Sequence, residues 1–133
     1  MKDSFYLHFD KMPKATAQMR QFNGKTKTCY KSKALEETER LYRVQLLPHK
    51  PEKPVEGPIK LFICLYFEKK KPKMLWGKYK TSRPDADNFC KALIDQMTKT
   101  GYWIDDAQIA DLHIKKYYAE KASIYIEWSE VEE

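Results

Sequence analysis

IKLFICLYFE, residues Ile59–Glu68, is almost unbroken apolar sequence rich in β-branched and aromatic side chains, with polar residues on either side. A run of that length and composition predicts a buried strand at the centre of a sheet. Its longest stretch without a polar residue, Leu61–Phe67, has 7 residues, far short of the roughly 18 needed to span a bilayer. Working back towards the amino terminus, four prolines between Pro48 and Pro58 mark a surface connection. Before it, Ser32 is a natural N-cap for a helix carrying Leu35, Glu39, Tyr42 and Leu46 at helical spacing, which Pro48 stops. The dipeptide Asn23-Gly24 predicts a hairpin between Met19–Phe22 and Thr26–Tyr30, and the alternating Ser4–Phe9 predicts a first strand.

Beyond the central run, Lys69–Arg83 is too polar for a core and reads as a loop. From Asp87 the pattern turns helical, with Phe89, Leu93 and Met97 four apart, Cys90 and Ile94 widening the stripe, and Gly101 closing it. Tyr102–Ile104, Leu112–Tyr118 and Ser123–Trp128 then predict short strands. This order gives one α+β domain over residues 1–133, with a mixed sheet and two principal helices.

Composition narrows the chemistry. Hydrophobic residues make up 42% and charged residues 33%, with 4 Gly and 7 Pro, a globular balance rather than a disordered one. The opening MKDSFYLHFDK lacks the apolar core of a secretory signal, so the expected compartment is the cytoplasm. Cys29, Cys64 and Cys90 are odd in number and far apart, as are His8, His49 and His113, so neither a disulfide framework nor zinc-ligand spacing is present. The four glycines cannot be arranged into a phosphate-binding loop or a nucleophile elbow, which excludes a nucleotide cofactor and serine-hydrolase chemistry.

The formal charge is +6, and the excess is uneven. Residues 1–33 contain Lys14 and Arg20 among eight basic residues against Asp3 and Asp10. A second basic segment holds Lys69, Lys70, Lys71, Lys73, Lys78, Lys80 and Arg83 without an acid, interleaved with Trp76 and Tyr79. Both would draw a polyanion. The segment from Glu120 reverses sign and is expected to be a solvated face or tail turned away from that ligand.

Two acidic pairs flank the second helix: Asp85 and Asp87 within RPDADN at its start, and Asp105-Asp106 after its end. Capping of a helix amino terminus explains one such aspartate, and a solvated turn explains the second pair. If the helix folds its far end back, three or four carboxylates converge, within about 12 Å if two bridged cations join them. Such a group repels itself unless a hard cation neutralises it, and oxygen-only ligands favour Mg²⁺ or Mn²⁺. Beside a basic surface, that chemistry suits phosphodiester hydrolysis. Lys91, four residues after Asp87, shares its helix face and could neutralise a phosphate oxygen, or simply pair with Asp87 or Asp95.

RPDADNFCKALID, then GYWIDDAQI at Gly101–Ile109 and Lys115, resembles the RusA family of Holliday-junction resolvases over Arg83–Lys116. The resemblance implies a mixed α/β fold and Asp85, Asp87 and Asp106 as metal-site carboxylates, with Asp105 beside them and Lys91 as the essential lysine. It also implies an intertwined homodimer that nicks four-way junctions symmetrically. The basic approach to the first aspartate corresponds to Lys78, Lys80 and Arg83, although Pro84 stands directly before Asp85. Three other readings differ in what they require: a junction-binding protein without catalysis, a metal-free carboxylate enzyme such as a glycosidase, and a nuclease for flaps, other branched DNA or RNA.

Overall fold

A computed structural model describes residues 1–14, 20–23 and 28–132, with backbone alone for 20–23 and 28–31. In chain order the strands and helices are β1 (Lys2–His8), β2 (Arg20–Asn23), β3 (Thr28–Lys31), α1 (Lys33–Leu46), β4 (Ile59–Glu68), α2 (Ala86–Thr100), β5 (Ile109–Ala119) and β6 (Ser123–Glu130). The main sheet has the order β1-β6-β4-β5, with β4 and β5 parallel and the other neighbours antiparallel. Parallel strands require a crossover, and α2 supplies it. β4 is central, as its sequence predicts, but its two faces are buried unequally, Cys64 alone being buried on the second. Ile59, Leu61, Ile63, Leu65 and Phe67 are buried, whereas Lys60 is exposed and Phe62 and Tyr66 are half-buried. Its apolar continuity on the second face comes from ring contacts across the open side of the sheet, Phe62 with Tyr125 and Tyr66 with Tyr117.

Both helices contribute to one core with that buried face, through Leu35, Tyr42 and Leu46 of α1 and Phe89, Cys90, Leu93 and Met97 of α2. The Ser32 hydroxyl accepts from the Leu35 amide at 3.1 Å and starts α1. A buried polar link joins the helices: Gln96 Nε2 donates to Glu39 Oε2 at 2.5 Å, and Arg43 donates to Gln96 Oε1 at 3.0 Å. At the end of α2, Gly101 takes a left-handed φ of 103°, and the amides of Gly101 and Tyr102 return to the carbonyls of Thr98 and Met97. This is the Schellman arrangement that favours glycine.

Two expectations are corrected. Tyr102–Ile104 is not a strand: Trp103 makes a lone bridge with Val55, and the buried rings of Tyr102 and Trp103 plug the core, the Tyr102 hydroxyl donating to the Leu46 carbonyl at 2.5 Å. Aromatic residues read as β-formers here serve as anchors. β2 and β3 do pair, but Asn23 lies opposite Thr28, so Asn-Gly is not a two-residue turn; residues 24–27 lie outside those described. The acidic terminal segment is largely β6, an inner strand that presents Glu127 on the solvated face, one of the two forms expected of it, while Glu130 accepts from the Gly57 amide at 3.2 Å. Among the described residues no helix is long and apolar enough to cross a membrane.

Replacing Ser32 with Ala removes the α1 cap and should lower unfolding free energy by about 1 kcal/mol, read as a shifted urea midpoint with an unchanged slope.

Candidate active site

Asp85 occupies the N-cap of α2 with φ −64° and ψ 139°, and its carbonyl accepts from the Phe89 amide at 2.9 Å. Its carboxylate makes no capping bond. The ordinary structural explanation for an aspartate at this position therefore fails, leaving an exposed acceptor-only group. Asp87, in the first turn, is also exposed. Lys91 stands one turn further along and makes no ion pair within 4 Å with either Asp87 or Asp95. Asp87, Lys91 and Asp95 thus form an i, i+4 stripe along α2.

The second acidic pair is divided between two tasks. Asp105 caps the short turn Asp106–Gln108, accepting from the Ala107 amide at 2.9 Å. Gln108 completes the capping box: its Oε1 accepts from the amides of Ile104 and Asp105, and its Nε2 donates to the carbonyls of Val55 and Gly57. Asp105 therefore commits one carboxylate oxygen to capping this turn. Asp106 is oriented by a relay in which Trp103 Nε1 donates to Thr98 Oγ1 at 2.8 Å, and Thr98 Oγ1 donates to Asp106. Asp95, whose only anticipated role was as a partner for Lys91, lies against Asp106. Burial, then the hydrogen bond and like charge of Asp106, push its carboxyl above the usual range, against the pull of Lys91 and Lys99.

The expected convergence of the two acidic pairs does not occur within one chain. Asp106 is fastened at Thr98, 11 residues after Asp87, about 16 Å along a helix rising about 1.5 Å per residue. Trp103 fills the core immediately after Gly101, so the chain leaves α2 at its far end instead of returning to its start. Among the described residues no three carboxylate, imidazole or thiol groups stand close enough to hold one metal ion. Asp85 and Asp87 suit a hard cation by donor chemistry, but one chain supplies only part of a ligand set.

Asp85 opens onto a cleft of about 860 Å³, lined by Lys14, Lys80, Arg83, Asn88 and Glu68 with apolar Met12, Pro13, Phe67 and Pro84. Glu68 went unremarked in the sequence because it closes an apolar run. Its Oε2 accepts from the Met12 amide at 3.1 Å. Among the basic residues, Lys14, Lys70, Lys71, Lys73, Lys78 and Arg83 are exposed. Lys80 is less available, because its ammonium donates to Ser82 Oγ at 2.7 Å and lies over the rings of Phe67 and Tyr118. Lys69 also lies over Tyr118, and Lys73 over Trp76. Arg20 falls on β2, where only the backbone is described. Lys116 carries no functional signal in the sequence beyond its position at the end of the motif, yet it donates to the carbonyls of Ser82 and Pro84 at 2.9 and 2.7 Å.

Residues 10–128 match the family model described as Endodeoxyribonuclease RusA. The chain is 38% identical to the crossover junction endodeoxyribonuclease rusA of Lactococcus phage r1t over 133 residues, covering 98% of this chain and 100% of that protein. It is 50% identical to the crossover junction endodeoxyribonuclease RusA of Escherichia coli (strain K12) over 34 residues, 26% of this chain and 28% of the relative. The uncharacterized protein YqaN of Bacillus subtilis (strain 168) shares 31% identity over 93 residues, 62% of this chain and 65% of its own length.

The two N-cap aspartates should separate in stability measurements. Asp105→Ala loses a cap and should cost about 1 kcal/mol, whereas Asp85→Ala, which loses none, should stay within about 0.5 kcal/mol of the parent. Chemical denaturation of both variants provides the comparison.

Proposed function

Since this chain belongs to the RusA family of endodeoxyribonucleases, we propose that it resolves Holliday junctions by paired, symmetric, Mg²⁺-dependent nicks. It would do so during recombination or repair in the cytoplasm of a bacterial or phage-infected cell. The observation that carries this reading is Asp85, a helix N-cap whose carboxylate leaves the cap unused and opens on a basic cleft. In this reading Asp85 and Asp87 hold the cation at the start of α2. The chemistry a hard divalent ion supplies when bound is activation of water and stabilisation of the leaving oxygen.

Asp106 completes the ligand set from a second protomer. The separation of the acidic pairs along α2 supports this assignment: a two-fold copy with its α2 antiparallel sets one protomer's Asp85 and Asp87 against its partner's Asp106. The same two-fold axis gives two sites, as symmetric cutting requires. Lys91, midway along the stripe and free of an ion pair, faces the phosphate and stabilises charge developing on its oxygens. Lys14, Lys70, Lys71, Lys78 and Arg83 hold the DNA arms through phosphate contacts that weaken as salt rises.

Cleavage of a synthetic four-way junction against linear duplex, with and without Mg²⁺, tests the activity. Junction-selective, chelator-sensitive nicking is expected, and tight binding without cutting would refute it. Asp85→Asn or Asp87→Asn should abolish nicking while junction affinity holds or rises, because repulsion of phosphate falls. Lys91→Ala should lower turnover by about 10²-fold with little change in affinity.

Mixing Asp85→Asn and Asp106→Asn proteins tests the shared site. A heterodimer of the two retains one intact composite site and should regain single-strand nicking, whereas a site contained within each chain would leave the mixture inactive.

A further inference from the structure

We propose that Lys116 is the positioning residue that aims Asp85, acting through the backbone immediately before it. This inference rests on the reading of Asp85 as a metal-site carboxylate. Lys116 lies on β5, paired with Leu65 of the central strand, and is half-buried. Its ammonium donates to the carbonyl of Ser82 at 2.9 Å and to that of Pro84 at 2.7 Å. The Pro84 carbonyl belongs to the peptide unit whose nitrogen is that of Asp85, so the clamp grips the last rigid plane before the aspartate.

Asp85 needs such a hold. Its carboxylate makes no capping bond that would fix its direction. The segment from Lys69 to Arg83 is anchored to β5 at Gly77, Lys78 and Lys80, through backbone bonds to Tyr118 and Lys116. Between Lys80 and Asp85 no backbone-to-backbone bond is made among the described residues. Side chains bridge this gap: Lys116 takes two carbonyls, while Lys80 and the Tyr118 hydroxyl meet Ser82 Oγ at 2.7 and 3.3 Å. An ammonium has three donors and no acceptor. Two of the three are spent inside the protein at short, charge-assisted distances, which distinguishes Lys116 from Lys70, Lys71 or Arg83, whose charges face solvent.

The test compares full-length Lys116→Met and Lys116→Arg with the parent and with Asp85→Asn. Backbone ¹⁵N relaxation order parameters of Thr81, Ser82, Arg83 and Asp85 are measured first. Mn²⁺ binding by electron paramagnetic resonance, junction affinity in chelator and Mg²⁺-dependent turnover follow. Lys116→Met should lower the order parameters at those four residues from about 0.85 to below about 0.6, with the β4 values unchanged. Mn²⁺ affinity and turnover should fall by about tenfold or more, as for lost support around a metal ligand, while junction affinity in chelator stays within about twofold. Lys116→Arg, which keeps the charge and donors, should recover most of each loss.

Unchanged order parameters in Lys116→Met would overturn the clamp. Lower order parameters with parental Mn²⁺ affinity and turnover would overturn its positioning role, and a fall in junction affinity alone would make Lys116 a DNA anchor. Asp85→Asn is the independent control: parental Mn²⁺ binding in that variant would refute Asp85 as a ligand, while the relaxation data would still judge the clamp.

Discussion

A hydrogen-bonded helix cannot shorten, and α2 sets the distances between the acidic groups on which the proposed chemistry depends. Its 15 residues hold the two ends about 22 Å apart at about 1.5 Å per residue. Burial of Phe89, Cys90, Leu93 and Met97 in the shared core keeps the rod on the sheet. Asp85 and Asp87 sit at one end, Asp95 and Asp106 at the other, with Lys91 between them. Each acidic group is small enough to exist without a counter-ion. Asp95 lies against Asp106, and burial with the Asp106 hydrogen bond pushes its carboxyl above the usual range, while Asp85 and Asp87 face water beside the amino terminus of a helix, where the dipole favours negative charge.

The basic residues divide along similar lines. Charge counting along the chain treats every lysine alike, but the fold assigns some of them to internal work. Lys116 and Lys80 hold the approach to Asp85, and Lys69 and Lys73 cover aromatic rings. Lys14, Lys70, Lys71, Lys73, Lys78 and Arg83 are exposed, and in the proposed reading their charges meet phosphate. The approach loop itself is built on β5, so the strand that follows Asp106 also shapes the loop that precedes Asp85. The two halves of the motif are coupled through backbone and side-chain bonds although they lie at opposite ends of α2.

Local periodicity and punctuation made most of the fold legible. Ser32, Pro48 and Gly101 bound their helices where capping and steric rules predict, and the apolar run at Ile59 gave the central strand. Errors came where a side chain's tertiary task overrode its local preference. Tyr102 and Trp103 look like strand residues and are core plugs. At the site, the motif offers the candidate aspartates and lysine, but their mutual placement is set by the fold. The length of α2 was already visible in its pattern, and a straight rod of that length forbids the convergence that was expected. The roles of Gln108 and Lys116 depend on contacts 51 to 53 and 32 to 34 residues away, which no local pattern encodes.

The relay from Trp103 through Thr98 to Asp106 gives the molecule a built-in optical reporter. The Trp103 indole is 1% exposed and packed edge-on against Trp128, so its emission belongs to a dry, rigid environment. Its N–H is separated from the Asp106 carboxylate by a single hydroxyl. Any event that redraws charge on that carboxylate repolarises the hydroxyl and, through it, the indole, and so registers as a spectral change at the far end of α2 without an added dye.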